Sequence, residues 1–138
     1  VFILEFWLLQ DNEKIQLPVP PSEYTIKKGN NNSTVVVEDI GEINLIGRSK
    51  LGETSVSSFF PAQRYYFCQC EPKKPLEYVE LIEKWLTSNK PIRYIITNTN
   101  VNELFTIEDF EYGEKDGTGD LYFTLTLKEY KIIQEERL

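Results

Sequence analysis

Eight residues near the C-terminus, LYFTLTLK, constrain the fold most. Leu121, Phe123, Leu125 and Leu127 alternate with Tyr122, Thr124, Thr126 and Lys128, and a period of two sends successive side chains to opposite faces of a strand. Four large apolar side chains on one face need a core above them, which leaves the other four facing outward. The preceding run changes phase: Phe105 and Ile107 share one parity, Phe110 and Tyr112 the other. One extra residue near Glu108 and Asp109, a β-bulge, would return all four to a common face. Between the two runs, KDGTGD supplies Asp-Gly turn chemistry, so residues 104–130 are expected to form a long hairpin. The spacing of Asp116 and Asp120 around two glycines lacks the alternating oxygen ligands of a calcium loop, so no metal is assigned there.

PLEYVELIEKWLTSNKP has the other periodicity. Tyr78, Leu81, Ile82, Trp85 and Leu86 recur at helical spacing, while Glu77, Glu80, Glu83 and Lys84 fall largely outside that stripe. Pro75 suits a first turn, and Asn89 before Pro91 marks a stop. This single helix is expected to cover one side of the β core. After it, PIRYIITNTN reads as another strand.

The first half is β-rich and heavily punctuated. Short β-prone runs at 24–27, 33–38, 42–46 and 54–60 are separated by turn-formers. Pro18, Pro20 and Pro21 cannot donate to a ladder and are expected on an extended edge or crossing segment. The GNNNS run, with Asn30, Asn31 and Asn32, tolerates positive φ and is expected to be a hairpin loop between Ile26 and Val35. The opening run VFILEFWLL, interrupted by Glu5, is far short of the roughly 20 apolar residues of a bilayer span and reads as a buried strand. The absence of an initiator Met points to an excerpt of a longer protein.

The composition narrows the chemistry. A chain of 138 residues is the size of one domain, and 41% apolar with 27% charged residues is a globular balance. The formal net charge of -7 argues against a reader of DNA or RNA and against an anionic membrane surface, with Lys73, Lys74, Arg48 and Lys50 as solvated loop charges. There is no histidine, and Cys68 and Cys70 are the only cysteines, so neither a sulfur-imidazole zinc site nor a His-dependent triad can be assembled within the chain. Two neighbouring reduced thiols fit synthesis in a cytoplasm. No nucleotide-binding glycine loop is present, and no cofactor is expected. Glu108, Asp109 and Glu111 could serve as paired carboxylates for glycosidic cleavage, but acids so spaced on a strand commonly face solvent. No catalytic residue is assigned. Tyr65, Tyr66 and Tyr94 are the aromatic rings that a carbohydrate- or peptide-binding sandwich would use.

The segments LPVPPSEY, GEINLIG, SSFFPA and DGTGDLYFTL occur here in this order. Together they resemble the N-terminal domain of LysM-bearing tail proteins from contractile-tailed phages, defective prophages and phage-tail-like bacteriocins of Gram-positive bacteria, over nearly the whole chain. The resemblance implies a mainly β fold, a tail-tube-like β-sandwich or distorted barrel with one flanking helix and a long C-terminal hairpin, as a single domain over residues 1–138. A LysM domain is expected downstream, and the charged tail QEERL lies near where a linker would begin. The implied function is non-enzymatic: a virion structural protein of the baseplate, adapting the tail tube to the hub or spike. Its implied partners are the tube and hub proteins and further copies of itself in a hexameric ring. The high net charge and the loop-rich first half favour a monomer when the domain is isolated at micromolar concentration. On this resemblance Tyr122, Thr124, Thr126 and Lys128 are the candidate intersubunit or lumenal surface. Pro18, Pro20 and Pro21, with Asn30, Asn31 and Asn32 as a projecting tip, are the candidate docking arm. The alternatives are a carbohydrate- or peptide-binding module and a cell-wall hydrolase.

Overall fold

The computed structural model describes residues 4–132. Residues 1–3 of the expected N-terminal strand and the tail QEERL lie outside the described residues. The rest of the opening run is strand β1 (Phe6–Gln10), which turns back through Asp11, at φ 52°, into β2 (Glu13–Gln16). This second strand went unread in the sequence, although Asp-Asn is a turn signal.

The chain continues as β3 (Ile26–Lys27), β4 (Ser33–Val37), β5 (Gly41–Leu45), β6 (Glu53–Phe60), helix α1 (Pro75–Thr87), β7 (Ile92–Ile96), β8 (Asn102–Gly113) and β9 (Leu121–Glu129). Seven strands form one sheet in the order β2-β1-β7-β8-β9-β6-β3, every pairing antiparallel, and β4 with β5 forms a separate ribbon. The architecture is mainly β with one helix, consistent with the expected sandwich or distorted barrel. Residues 17–25 lead from one edge of the large sheet to the other, and Tyr24 meets Phe6 edge-on with ring centroids 6.0 Å apart.

The long hairpin has the expected bulge. Register shifts between Ile107 and Asp109, leaving Glu108 as the extra residue. Leu121, Phe123, Leu125 and Leu127 are buried with Phe105 in one core cluster, against which Ile107 and Phe110 pack. The connection spans residues 114–120, with Gly117 and Gly119 at positive φ, and is longer than a two-residue Asp-Gly turn.

Helix α1 buries Tyr78, Val79, Ile82 and Trp85. Leu86, assigned to the apolar stripe, is exposed, and Val79, overlooked there, is in the core. The covered face is therefore rotated by part of a turn toward Val79. The stop is as expected: the Ser88 hydroxyl donates to the Trp85 carbonyl at 2.6 Å, and Asn89 takes φ 60° ahead of Pro91. Phe60, from the end of β6, stacks between Tyr78 of the helix and Phe123 of β9, at centroid distances of 4.6 and 4.3 Å. This stack fastens α1 to the hairpin.

The Asn-rich run is not a hairpin loop, because β3 pairs with β6 and β4 pairs with β5. Asn31 N–H donates to the Arg48 carbonyl at 2.7 Å, Lys50 N–H to the Gly29 carbonyl at 2.7 Å, and Gly47 N–H to Asn32 Oδ1 at 2.8 Å. Asn30, Asn31 and Asn32 thus form the neck of the β4–β5 ribbon. Its tip is at residues 38–40, where Asp39 has φ 77°.

Candidate docking face

The outward residues of β9 each head a row that crosses three strands. Register places Thr106, Lys128 and Glu53 in line, then Asp109, Thr126 and Ser55, then Glu111, Thr124 and Ser57, and last Gly113, Tyr122 and Phe59. Tyr122, Thr124, Thr126 and Lys128 are all half-buried, whereas Leu121, Phe123, Leu125 and Leu127 point inward. Strand periodicity alone locates this face. The bulge at Glu108 keeps β8 in phase with it, so that Asp109 and Glu111 stand beside Thr126 and Thr124.

An open groove of about 740 Å³ runs along one end of the face, walled by Tyr122, Thr124, Ser57, Phe59 and Glu111. Ser57 Oγ and Thr124 Oγ1 are 3.2 Å apart and share a hydrogen bond. The rings of Phe59 and Tyr122 lie 5.2 Å apart, and Lys115 Nζ sits 4.6 Å from the Tyr122 centroid in a cation-π contact. Tyr122 O–H donates to Asp116 Oδ2 at 2.9 Å, and Thr118 donates to Asp116 Oδ1 at 2.6 Å. Thr118 first and Tyr122 second hold the Asp116 carboxyl below the usual carboxylate range, and the bond to Asp116 raises the Tyr122 phenol.

Asp120 is buried, accepting from Ala62 N–H at 2.6 Å and from Tyr65 O–H at 2.8 Å. The KDGTGD loop therefore anchors Tyr122 on one side and the 61–74 connection on the other. Sequence reading assigned it a turn only. Phe59, Ser57 and Ser55 also went unread as parts of this face, since strand pairing between residues some 65 apart leaves no local signal.

Pro18 and Pro21 are buried and Pro20 is half-buried. The Pro18 carbonyl accepts from Gln69 N–H at 2.8 Å and the Val19 carbonyl accepts from Ser58 Oγ at 2.7 Å. A segment short of donors is fastened through its carbonyls, and it lies against its own domain. The neck residues Asn30, Asn31 and Asn32 are exposed.

Of the three tyrosines, Tyr94 is fully buried, so it cannot present a ring to a ligand, and burial drives its phenol well above the usual range. Tyr65 is half-buried and stacked on Phe67 at 5.1 Å, while Tyr66 is 99% exposed. Glu108 and Asp109 are exposed at the bulge, and Glu108 accepts from Thr106 Oγ1 at 2.9 Å. Cys68 and Cys70 are free thiols in the irregular 61–74 connection and not on a strand, and burial raises the Cys70 thiol. Among the described residues no three His, Cys, Asp or Glu side chains are grouped to hold a metal, and no helix is long and apolar enough to cross a membrane.

No family model matches the chain. It is similar to the uncharacterized protein YqbP of Bacillus subtilis (strain 168), with 37% identity over 139 residues. That alignment takes in 99% of this chain but 63% of YqbP, so the chain spans less than two thirds of its relative's length.

Proposed function

We propose that the chain is a non-enzymatic structural subunit, an adaptor between tail tube and hub or spike in the baseplate of a contractile phage tail or phage-tail-like particle. The observation that carries this reading is the outer face of β6, β9 and β8, whose cross-strand rows offer short hydroxyls flanked by the Tyr122 and Phe59 rings. An open sheet face on which Thr124 and Tyr122 are already hydrogen-bonded to Ser57 and Asp116 suits a second protein surface, because those side chains have less freedom to lose on docking. The sequence resemblance supplies the identity of that surface as tube, hub or another copy.

Immunogold labelling of purified particles with an antibody to this domain tests the proposal, with label expected at the baseplate end. Label elsewhere, or none on particles, overturns it. The double variant Thr124→Arg with Thr126→Arg should fold normally yet fail to enter particles, since two cations in a close contact would be desolvated. Normal incorporation of that variant would remove this face from the assembly.

A binding-module reading is favoured by one feature, the exposed Tyr66 ring beside Phe67, with ring centroids 5.2 Å apart. Such rings accept the apolar face of a sugar or a peptide side chain. Saturable binding of cell-wall glycan fragments that Tyr66→Ala abolishes would support it. Cell-wall zymography separates the hydrolase alternative: clear lysis lost in Glu108→Gln or Glu111→Gln would overturn the adaptor reading.

A further inference from the structure

Among the described residues the β4–β5 ribbon contributes nothing to the core cluster, and each of its strands is paired to the other alone. Val35 stands opposite Ile43 and Ser33 opposite Leu45 on one face, with Val36 opposite Glu42 on the other. Val36, Ile40 and Ile46 are 78%, 72% and 84% exposed. A lone two-stranded ribbon is marginal in water, and exposed β-branched strands invite association.

The charges on the ribbon are segregated. Glu38, Asp39 and Glu42 surround Ile40 at the tip, all exposed, and residues 32–47 contain no lysine or arginine. At the foot of the same ribbon lies a groove of about 420 Å³ lined by Lys27, Lys28, Lys50 and Lys128, with exposed Leu51 and one acid, Glu53. Lys28 is 3.7 Å from Glu103, whereas Lys27, Lys50 and Lys128 have no ion-pair partner among the described residues. An acidic tip with an apolar knob thus matches a basic groove that includes one apolar side chain, Leu51.

We propose that the ribbon tip of one copy docks in the lysine groove at the foot of the next copy's ribbon, head to tail. The five strand residues Ser33–Val37 separate the neck from the tip at residues 38–40, which at about 3.3 Å per residue is roughly 17 Å. A paired ribbon of that length cannot fold its tip onto its own foot, so the contact joins two molecules. Such a heterologous contact propagates, closing into a ring or extending as a stack. The net charge of -7 opposes approach of two copies at long range, and the local match sets their orientation. The proposal rests on the adaptor reading only for the presence of many copies side by side, and its test uses the purified chain, so that either can fail alone.

Sedimentation velocity up to about 1 mM protein is the measurement, with folding checked by circular dichroism. Self-association is expected to weaken about tenfold between roughly 0.05 and 0.5 M salt. The tip variant Glu38→Lys, Asp39→Lys, Glu42→Lys and the groove variant Lys27→Glu, Lys50→Glu, Lys128→Glu should each associate at least about tenfold more weakly than wild type. Mixed together they should recover association, because each tip then meets a groove of opposite sign. The milder Glu38→Gln, Asp39→Asn, Glu42→Gln variant gives the same direction of change should a reversal disturb folding. A wild type that stays monomeric throughout, association indifferent to both reversals, or a mixture that does not recover would each overturn the contact.

Discussion

Truncating Phe60 to alanine should be among the most damaging single changes in this domain. The ring is fully buried and lies nearly parallel to two others, at 13° to Tyr78 and 9° to Phe123. Removing a buried phenylalanine costs about 3–5 kcal/mol through lost transfer energy and the cavity left behind. Within that figure, each aromatic pair contributes about 0.5–1.5 kcal/mol beyond area alone. An unfolding entropy near 2.1 cal/mol/K per residue gives about 0.29 kcal/mol/K for 138 residues, so each kcal/mol moves Tm by about 3.5 °C. Phe60→Ala should therefore lower Tm by about 10–17 °C in a calorimetric scan. Phe60→Leu, which keeps bulk but loses both stacks, should lower it by about 4–10 °C. A double-mutant cycle with Tyr78→Ala should return a coupling of about 0.5–1.5 kcal/mol. A loss below about 1.5 kcal/mol for Phe60→Ala, or a coupling of zero, would refute the claim that this stack fastens the helix to the hairpin.

Three further outcomes are expected. A Cβ added at Gly47 would collide with the Asn31 carbonyl, so Gly47→Ala should open the ribbon neck. Amide exchange should then show lost protection over residues 33–45 with protection of β6 and β9 kept. Asp116 has a lowered pKa in the folded chain, so its contribution is present above the ordinary carboxylate value of about 3.9 and is lost as pH falls through the folded value. Carboxyl chemical-shift titration should place the Asp116 midpoint below that of Asp116 in a Thr118→Ala variant, and equal midpoints would remove Thr118 as the cause. The Tyr94 hydroxyl is buried without a hydrogen-bond partner among the described residues, so Tyr94→Phe should leave stability unchanged or raise it by up to about 1 kcal/mol in urea melts, and a loss of that size would count against it.

Much of the large sheet was legible because its signals are local. Alternation in residues 121–128, the parity change that located the bulge, and the helical stripe with its Pro75 start and Asn89 stop each depend on neighbours within a few positions. The errors arose where partners are distant. Asn30 to Asn32 carry the composition of a loop, yet the Asn31 backbone and the Asn32 side chain are held by residues 47–48, and Ile26 pairs with Thr54 instead of crossing back to Val35. Turn propensity says where a chain can bend, not which strands the bend joins. Leu86 and Val79 show the same limit in the helix: both lie near the stripe, and only the position of the sheet beneath decides which is covered.

The candidate face was half legible for a related reason. A strand with one buried face announces its outward residues by parity, so Tyr122, Thr124, Thr126 and Lys128 could be named from sequence, whereas Ser55, Ser57, Phe59, Asp109 and Glu111 join them only through register. The same period of two separates core-filling residues from outward ones along β9. Inward residues meet the Phe60 stack and the helix, and outward residues meet side chains of the neighbouring strands and, at Tyr122, of the 114–120 loop. Substitutions at alternate positions of one strand should then fall into two populations, one that melts the domain and one that leaves melting unchanged while altering association. The β4–β5 ribbon lies outside this division, since neither of its faces is covered by the core. Its exposed valines and isoleucines therefore contribute little to the stability of the large sheet.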